Sequence, residues 1–166
     1  MKTVAKIVGA ILVCLVLALV VLRITGLNPI GNTAGPGSYL GLWLRGKVVT
    51  TPVTDWSLTD RDFTLRIQTH TAYLLPHSVN AYCSTLHGHL YVGSSNPPVR
   101  SWNTQVLADP QVRLGIENQL YDVRLVPVTD PAEYDAALAA RMKKYPQYRM
   151  RPGTKFILFR AEQGTN

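Results

Sequence analysis

The chain of 166 residues is 46% hydrophobic and only 16% charged, with 17 Lys and Arg against 10 Asp and Glu for a net charge of +7. Soluble domains carry about 25% charged residues, so the deficit points to one very apolar piece joined to an ordinary domain. Two cysteines exclude a disulfide scaffold, and the composition excludes a collagen-like chain or an acidic disordered tail.

The apolar piece comes first. Residues 4–22 read VAKIVGAILVCLVLALVVL, with Lys6 their one charge. As a helix they reach about 28 Å, close to the roughly 30 Å hydrocarbon core of a bilayer. Lys6 near the end can snorkel to the headgroups. Lys2 and Lys6 before the span, against Arg23 after it, predict a cytoplasmic N-terminus. A cleaved signal peptide is the competing reading, but Val20-Val21-Leu22-Arg23 offer no small-residue cleavage site. Residues 1–23 are therefore expected to be an uncleaved single-pass anchor in the inner membrane, with the rest of the chain in the periplasm.

Residues 24–38, ITGLNPIGNTAGPGS, are rich in Gly and Pro and uncharged, which marks a linker. That leaves 39–166 as the soluble domain. Its first residues, 39–45 (YLGLWLR), read either as an aromatic patch at the membrane interface or as the first segment of the fold.

Residues 48–53 and 63–71 are β-branched and aromatic runs and predict strands. Residues 77–86 and 89–94 flank His87-Gly88, a two-residue loop with a glycine available for positive φ, so a hairpin is expected. Ser101 can cap a short helix over 102–108, which Asp109-Pro110 stops. Val112, Leu114 and Ile116 then alternate with polar residues, and after a turn at Asn118 so do Tyr121, Val123 and Leu125, giving a second hairpin. Asp130-Pro131-Ala132-Glu133 combines a capping acid, a first-turn proline and a capping-box glutamate. Tyr134, Ala137, Leu138, Met142 and Tyr145 follow on one helical face, until Pro146. A last strand covers 156–160. Short strands joined by hairpins, with only two helices, predict a mainly β domain, a small antiparallel barrel.

Seven cations and no acid lie between residues 141 and 160: Arg141, Lys143, Lys144, Arg149, Arg151, Lys155 and Arg160. Such a cluster suits anionic lipid, a phosphate-bearing ligand or a solvated helix end. No nucleic-acid recognition motif accompanies it, and no nucleic acid is expected as a partner. His70, His77, His87 and His89 meet no Cys, Asp or Glu at a metal-ligand spacing, so no metal site is assigned. Cys83 reads as a small buried hydrophobe. Asp55, Asp60 and Asp62 read as loop acids. No P-loop, dinucleotide fingerprint or nucleophile elbow is present, and catalytic residues stay unassigned.

The segment from Leu75 to Ile116 is the most informative. A hairpin ends in the Ser-rich YVGSS, Arg100-Ser101-Trp102-Asn103 opens a helix, and LADPQV leads into the next strand. A helix start with Ser hydroxyls and an arginine is a phosphate site on physical grounds. This order, continued through the second hairpin, the capped helix and the last strand, resembles the FMN-binding split-barrel superfamily, which includes the pyridoxamine 5′-phosphate oxidases and the deazaflavin-dependent nitroreductases. The likeness spans residues 60–162.

The resemblance implies a small antiparallel split β-barrel that takes FMN or a related flavin. The flavin phosphate would lie near Ser94, Ser95, Arg100 and Ser101, and the ring over residues 77–82, with His77, Ser78 and Asn80 at its edge. It also implies a homodimer with the cofactor between subunits, the flavin carrying the redox chemistry. Residues 68–74, QTHTAYL, lack the cationic turn of the deazaflavin relatives. Two functions are therefore expected: a membrane-anchored flavin-dependent oxidoreductase acting on a small molecule, or a non-enzymatic accessory subunit tethered to a membrane complex.

Overall fold

The computed structural model describes residues 2–25, 39–61, 64–71, 75–95, 102–147 and 156–163. Its first element, α1 (Lys2–Thr25), runs two residues beyond the expected end of the anchor. It is exposed along its length, and is long and apolar enough to cross a membrane.

Eight strands follow: β1 (Tyr39–Gly41), β2 (Lys47–Val49), β3 (Thr64–Thr69), β4 (His77–Leu86), β5 (His89–Ser95), β6 (Gln111–Ile116), β7 (Gln119–Pro127) and β8 (Phe156–Gln163). Helix α2 (Trp102–Ala108) joins β5 to β6, and α3 (Pro131–Lys144) joins β7 to β8. Six strands close antiparallel in the order β4-β3-β6-β7-β8-β5 and back to β4. The domain is thus mainly β, a small antiparallel barrel, as its alternating pattern predicts. Closure removes the sheet edges that an open meander would expose.

Both hairpins form where the sequence places them. His87 and Gly88 have φ of 51° and 80°, the pair of positive values that a type I′ turn needs to match strand twist. Inward residues from the six barrel strands make one core, including Leu65, Ile67, Cys83, Leu114, Leu125 and Phe159, each 2% exposed or less. One end is stoppered by Trp56, which meets Tyr121 edge to face at 5.2 Å. The other carries Trp102 of α2, whose ring centre lies 5.6 Å from that of Phe159.

One expectation is corrected, and one of two open readings holds. The strand over 48–53 shrinks to β2, which pairs parallel to β7 only as far as Val49. Beyond it the chain must turn across the barrel end to bring in Trp56, and Pro52 has no N–H to give a ladder. The stretch 39–45 belongs to the folded domain: β1 pairs with β4 at Tyr39↔Val79 and Gly41↔Ser78. Phe63 and Ser101 lie outside the described residues.

Strand β4 is the pivot. Its first half, His77 to Tyr82, pairs with β3 on one side, and its second half, Tyr82 to Leu86, pairs with β5. Tyr82↔Gly93 is the last β4–β5 pair. Ser94 and Ser95 go on with β8 alone, opposite Ile157 and Phe156, while β1 takes the vacated edge of β4. The barrel therefore splits at Tyr82/Gly93.

Helix α3 lies outside this region. Its capping acid works as predicted, the Asp130 carboxylate accepting the Glu133 N–H at 3.0 Å. Ala137, Leu138 and Tyr134 pack on the outward side chains Leu86, Tyr91, Phe156 and Leu158. At about 1.5–3 kcal/mol per large apolar side chain fully buried, this second small core fixes the helix against β4, β5 and β8.

Candidate functional site

A strand alternates its faces, so β4 cannot offer His77, Ser78 and Asn80 to one ligand surface. His77 shares the inward face with its partner Thr69. Its Nδ1 lies 3.3 Å from Gln105 Oε1 of α2, and the Thr69 hydroxyl also donates to that oxygen. Burial lowers the His77 pKa and the bond to Gln105 partly opposes this. Ser78 and Asn80 face outward. The Ser78 hydroxyl is committed to the Leu42 carbonyl at 2.6 Å, which holds the chain after β1 in place. Asn80 is half-buried, opposite Arg66.

Ser94 and Ser95 stand just past the point where β5 leaves β4, so the structure puts them on one lip of the split and Asn80 on the other. His77 lies at the far, inner end of β4. Arg100 and Ser101 lie outside the described residues, as do Arg149, Arg151 and Lys155.

The described cations of the expected basic cluster do not form one face. Arg160 is bound by Glu133 at 2.7 Å and Glu162 at 2.8 Å. Lys143 is exposed, and Lys144 reaches inward, donating to the Thr59 carbonyl at 2.7 Å with Cys83 Sγ 3.8 Å away. Arg141 is buried, 8% exposed. Helical residues two apart point to different sides, so cations adjacent in sequence disperse in space.

Arg141 is the residue that sequence reasoning missed. Its guanidinium lies 4.9 Å from the Tyr82 ring, 5.3 Å from Tyr145 and 4.6 Å from Phe156. Among the described residues it has no hydrogen-bond acceptor and no carboxylate partner. Burial pulls its pKa down, yet a guanidinium stays charged at neutral pH. Tyr82 and Tyr145 meet edge to face at 4.9 Å, and the Tyr145 hydroxyl donates to the Cys83 carbonyl at 2.6 Å. Phe156 can lie over β5 because residue 93 is glycine: a Cβ there would sit 2.3 Å from Phe156 Cε1. The signal was present. Tyr134, Ala137, Arg141 and Tyr145 continue one helical face, and an outward glycine interrupts a packed strand.

A groove of about 1110 Å³ lies elsewhere, over the outer faces of β3, β6 and β7. Two of its charged side chains are paired: Arg113 grips Asp122 with bonds of 2.6 and 2.8 Å, and His70 meets Asp109 at 2.8 Å, while Arg23 and Arg45 also line it. The split differs in having a buried, ring-caged cation beside it, which makes it the stronger ligand candidate. Among the described residues no three His, Cys, Asp or Glu side chains cluster as metal ligands would.

No family model matches the chain, and no curated protein matches it. Solved structures do. A domain-swapped dimer aligns with a TM-score of 0.52 at 17% identity, over 61% of this chain and 81% of its own. A protein of unknown function from Agrobacterium tumefaciens aligns at 0.50 and 17% identity, over 69% of this chain and 56% of its own. An FAD-binding protein from Mesorhizobium loti aligns at 0.48 and 17% identity, over 66% and 86%. At such identities the likeness concerns the fold, which is the split barrel that the element order predicts.

Proposed function

We propose that the chain is a membrane-tethered split-barrel protein that holds a flavin, or a flavin-like cofactor, along its split for redox chemistry on a small molecule. The observation that carries this reading is the parting of β4 and β5 at Tyr82/Gly93, in a chain whose element order resembles the FMN-binding split-barrel superfamily. The residues present fit such a group. Asn80 and Tyr82 share the outward face of β4 at one lip, the end of β5 at Ser94 forms the other, and the Arg141 guanidinium stands 4.9 Å from the Tyr82 ring.

When bound, the flavin supplies the electron transfer, and the protein supplies orientation and electrostatics. Asn80 would orient the ring from the outward face of β4, and the end of β5 at Ser94 would hold the polar tail. The end of α3, with Tyr145 fixed to Cys83, keeps water from the β4 edge beyond Tyr82. Helix α1 tethers the barrel to a bilayer, with Lys2 and Lys6 on the cytoplasmic side and the barrel outside. The resemblance implies that two copies face one another across the cofactor.

The test is a titration of the detergent-purified full chain with FMN, read as quenching of flavin fluorescence. Saturation at one flavin per chain supports the reading. No saturable binding of FMN, FAD or a deazaflavin would refute it.

A further inference from the structure

Burying a charge costs several kcal/mol unless it is paired and hydrogen-bonded. Arg141 is 92% buried, and nothing described pairs it. The faces of three rings offset part of that cost. The C-terminal dipole of α3 offsets a little more. Those terms make the charge tolerable. They do nothing for its N–H donors, because ring faces and a helix dipole satisfy charge and leave the directional bonds unmade.

The donors also keep a path to solvent. Among the described residues, the side-chain nitrogens and oxygens that are both sealed and unpartnered belong to Asn103 alone, so the Arg141 donors are not sealed. The cage around them borders the split. Tyr82 is the last residue of β4 to pair with β5, and Phe156 is the cross-strand partner of Ser95. The rings of Tyr82, Tyr145 and Phe156 fix the guanidinium without using its fork. A planar, immobilised fork of donors matches the oxygens of an oxyanion and loses little entropy on binding one. Two acids of α3 and β8 are already engaged: Glu133 and Glu162 both bind Arg160.

We propose that Arg141 is the receptor for a phosphoryl group that enters at the split of the barrel, held by a fork of donors inside the Tyr82–Tyr145–Phe156 cage. The group has two possible sources, the phosphate of the cofactor or that of a small phosphorylated substrate. The assignment of a source rests on the cofactor reading above; the receptor itself does not.

The experiment uses the detergent-purified full chain and three probes: inorganic phosphate, FMN and riboflavin. Inorganic phosphate should raise the thermal midpoint of the wild type above that in chloride at matched ionic strength, because a ligand of the native state stabilises it. Arg141→Met should abolish that rise and Arg141→Lys should keep part of it. If the cofactor is the source, FMN binds about 10- to 100-fold tighter than riboflavin, and Arg141→Met erases the difference. If a substrate is the source, FMN and riboflavin bind alike and phosphate does not compete with either. Stabilisation by phosphate without binding of any flavin upholds the receptor and removes the cofactor reading. No effect of phosphate on the wild type overturns the proposal, even where flavins bind. Because that arm needs no variant, a misfolded Arg141→Met leaves it intact.

Discussion

Gly93→Ala tests the geometry of the split most directly. The new methyl would lie 2.3 Å from Phe156 Cε1, 2.8 Å from Phe156 Cζ and 2.8 Å from Leu158 Cδ2. Leu158 is 1% exposed and cannot retreat. Phe156 can move only outward, toward the Arg141 guanidinium 4.6 Å from its ring centre. Overpacking of this kind costs about 1–3 kcal/mol. Residue 93 is in an ordinary extended strand, so alanine also removes freedom from the unfolded chain, a gain of about 0.4–1 kcal/mol. The net is a loss of about 1–2 kcal/mol, or a fall of roughly 3–10 °C in the midpoint of the barrel. Thermal melting of the full chain in detergent, followed by near-ultraviolet circular dichroism, reads the change. The same variant should lose the stabilisation by phosphate, because the cage loses its floor. A Gly93→Ala protein as stable as the wild type would mean that Phe156 does not lie over β5, and the cage argument would fall with it.

Tyr145→Phe keeps the ring of the cage but removes the hydroxyl that donates to the Cys83 carbonyl, so stability should drop by about 1 kcal/mol in urea titrations with an unchanged slope; an unchanged midpoint would show that the bond contributes nothing. Asn103→Leu should be neutral or stabilising by up to about 2 kcal/mol, because neither amide atom of this fully buried side chain has a partner; a marked loss would reveal a partner. The His77 pKa lies below its unfolded value, so the unfolded chain binds the extra proton first. Stability linked to His77 is therefore full above about pH 6.5 and declines as the pH falls through that value. His77→Gln should flatten the decline, and the same slope in wild type and variant would assign it to other groups.

Local signals were the legible part of this fold. His87-Gly88 and Asp130-Pro131-Ala132-Glu133 each determine a turn or a helix start from a few adjacent residues, and both form as the sequence predicts. Strand lengths were less legible where pairing is non-local. Nothing within residues 48–53 says that β2 will find a parallel partner in β7 for three residues and then leave to plug the barrel end. One error was avoidable. The period of two along β4 already separates His77 from Ser78 and Asn80, so a ring edge contacting all three contradicted the strand that was to carry it.

The site itself was hidden for a different reason. A charged residue within a run of cations reads as solvated surface, and that expectation holds for Lys143. It fails at Arg141 because three aromatic residues, distant in sequence, converge there: Tyr82 from β4, Phe156 from β8 and Tyr145 from the end of α3. Their convergence depends on Gly93, the residue whose missing side chain lets Phe156 cross the strand. The described cations therefore differ in kind. Lys2, Lys6 and Arg23 lie toward the ends of the apolar helix, Arg160 and Arg113 are paired with acids, and Arg141 is buried among rings with no acid partner among the described residues. A net charge says little about ligands until each cation is placed with its surroundings, and here the informative cation is the buried one.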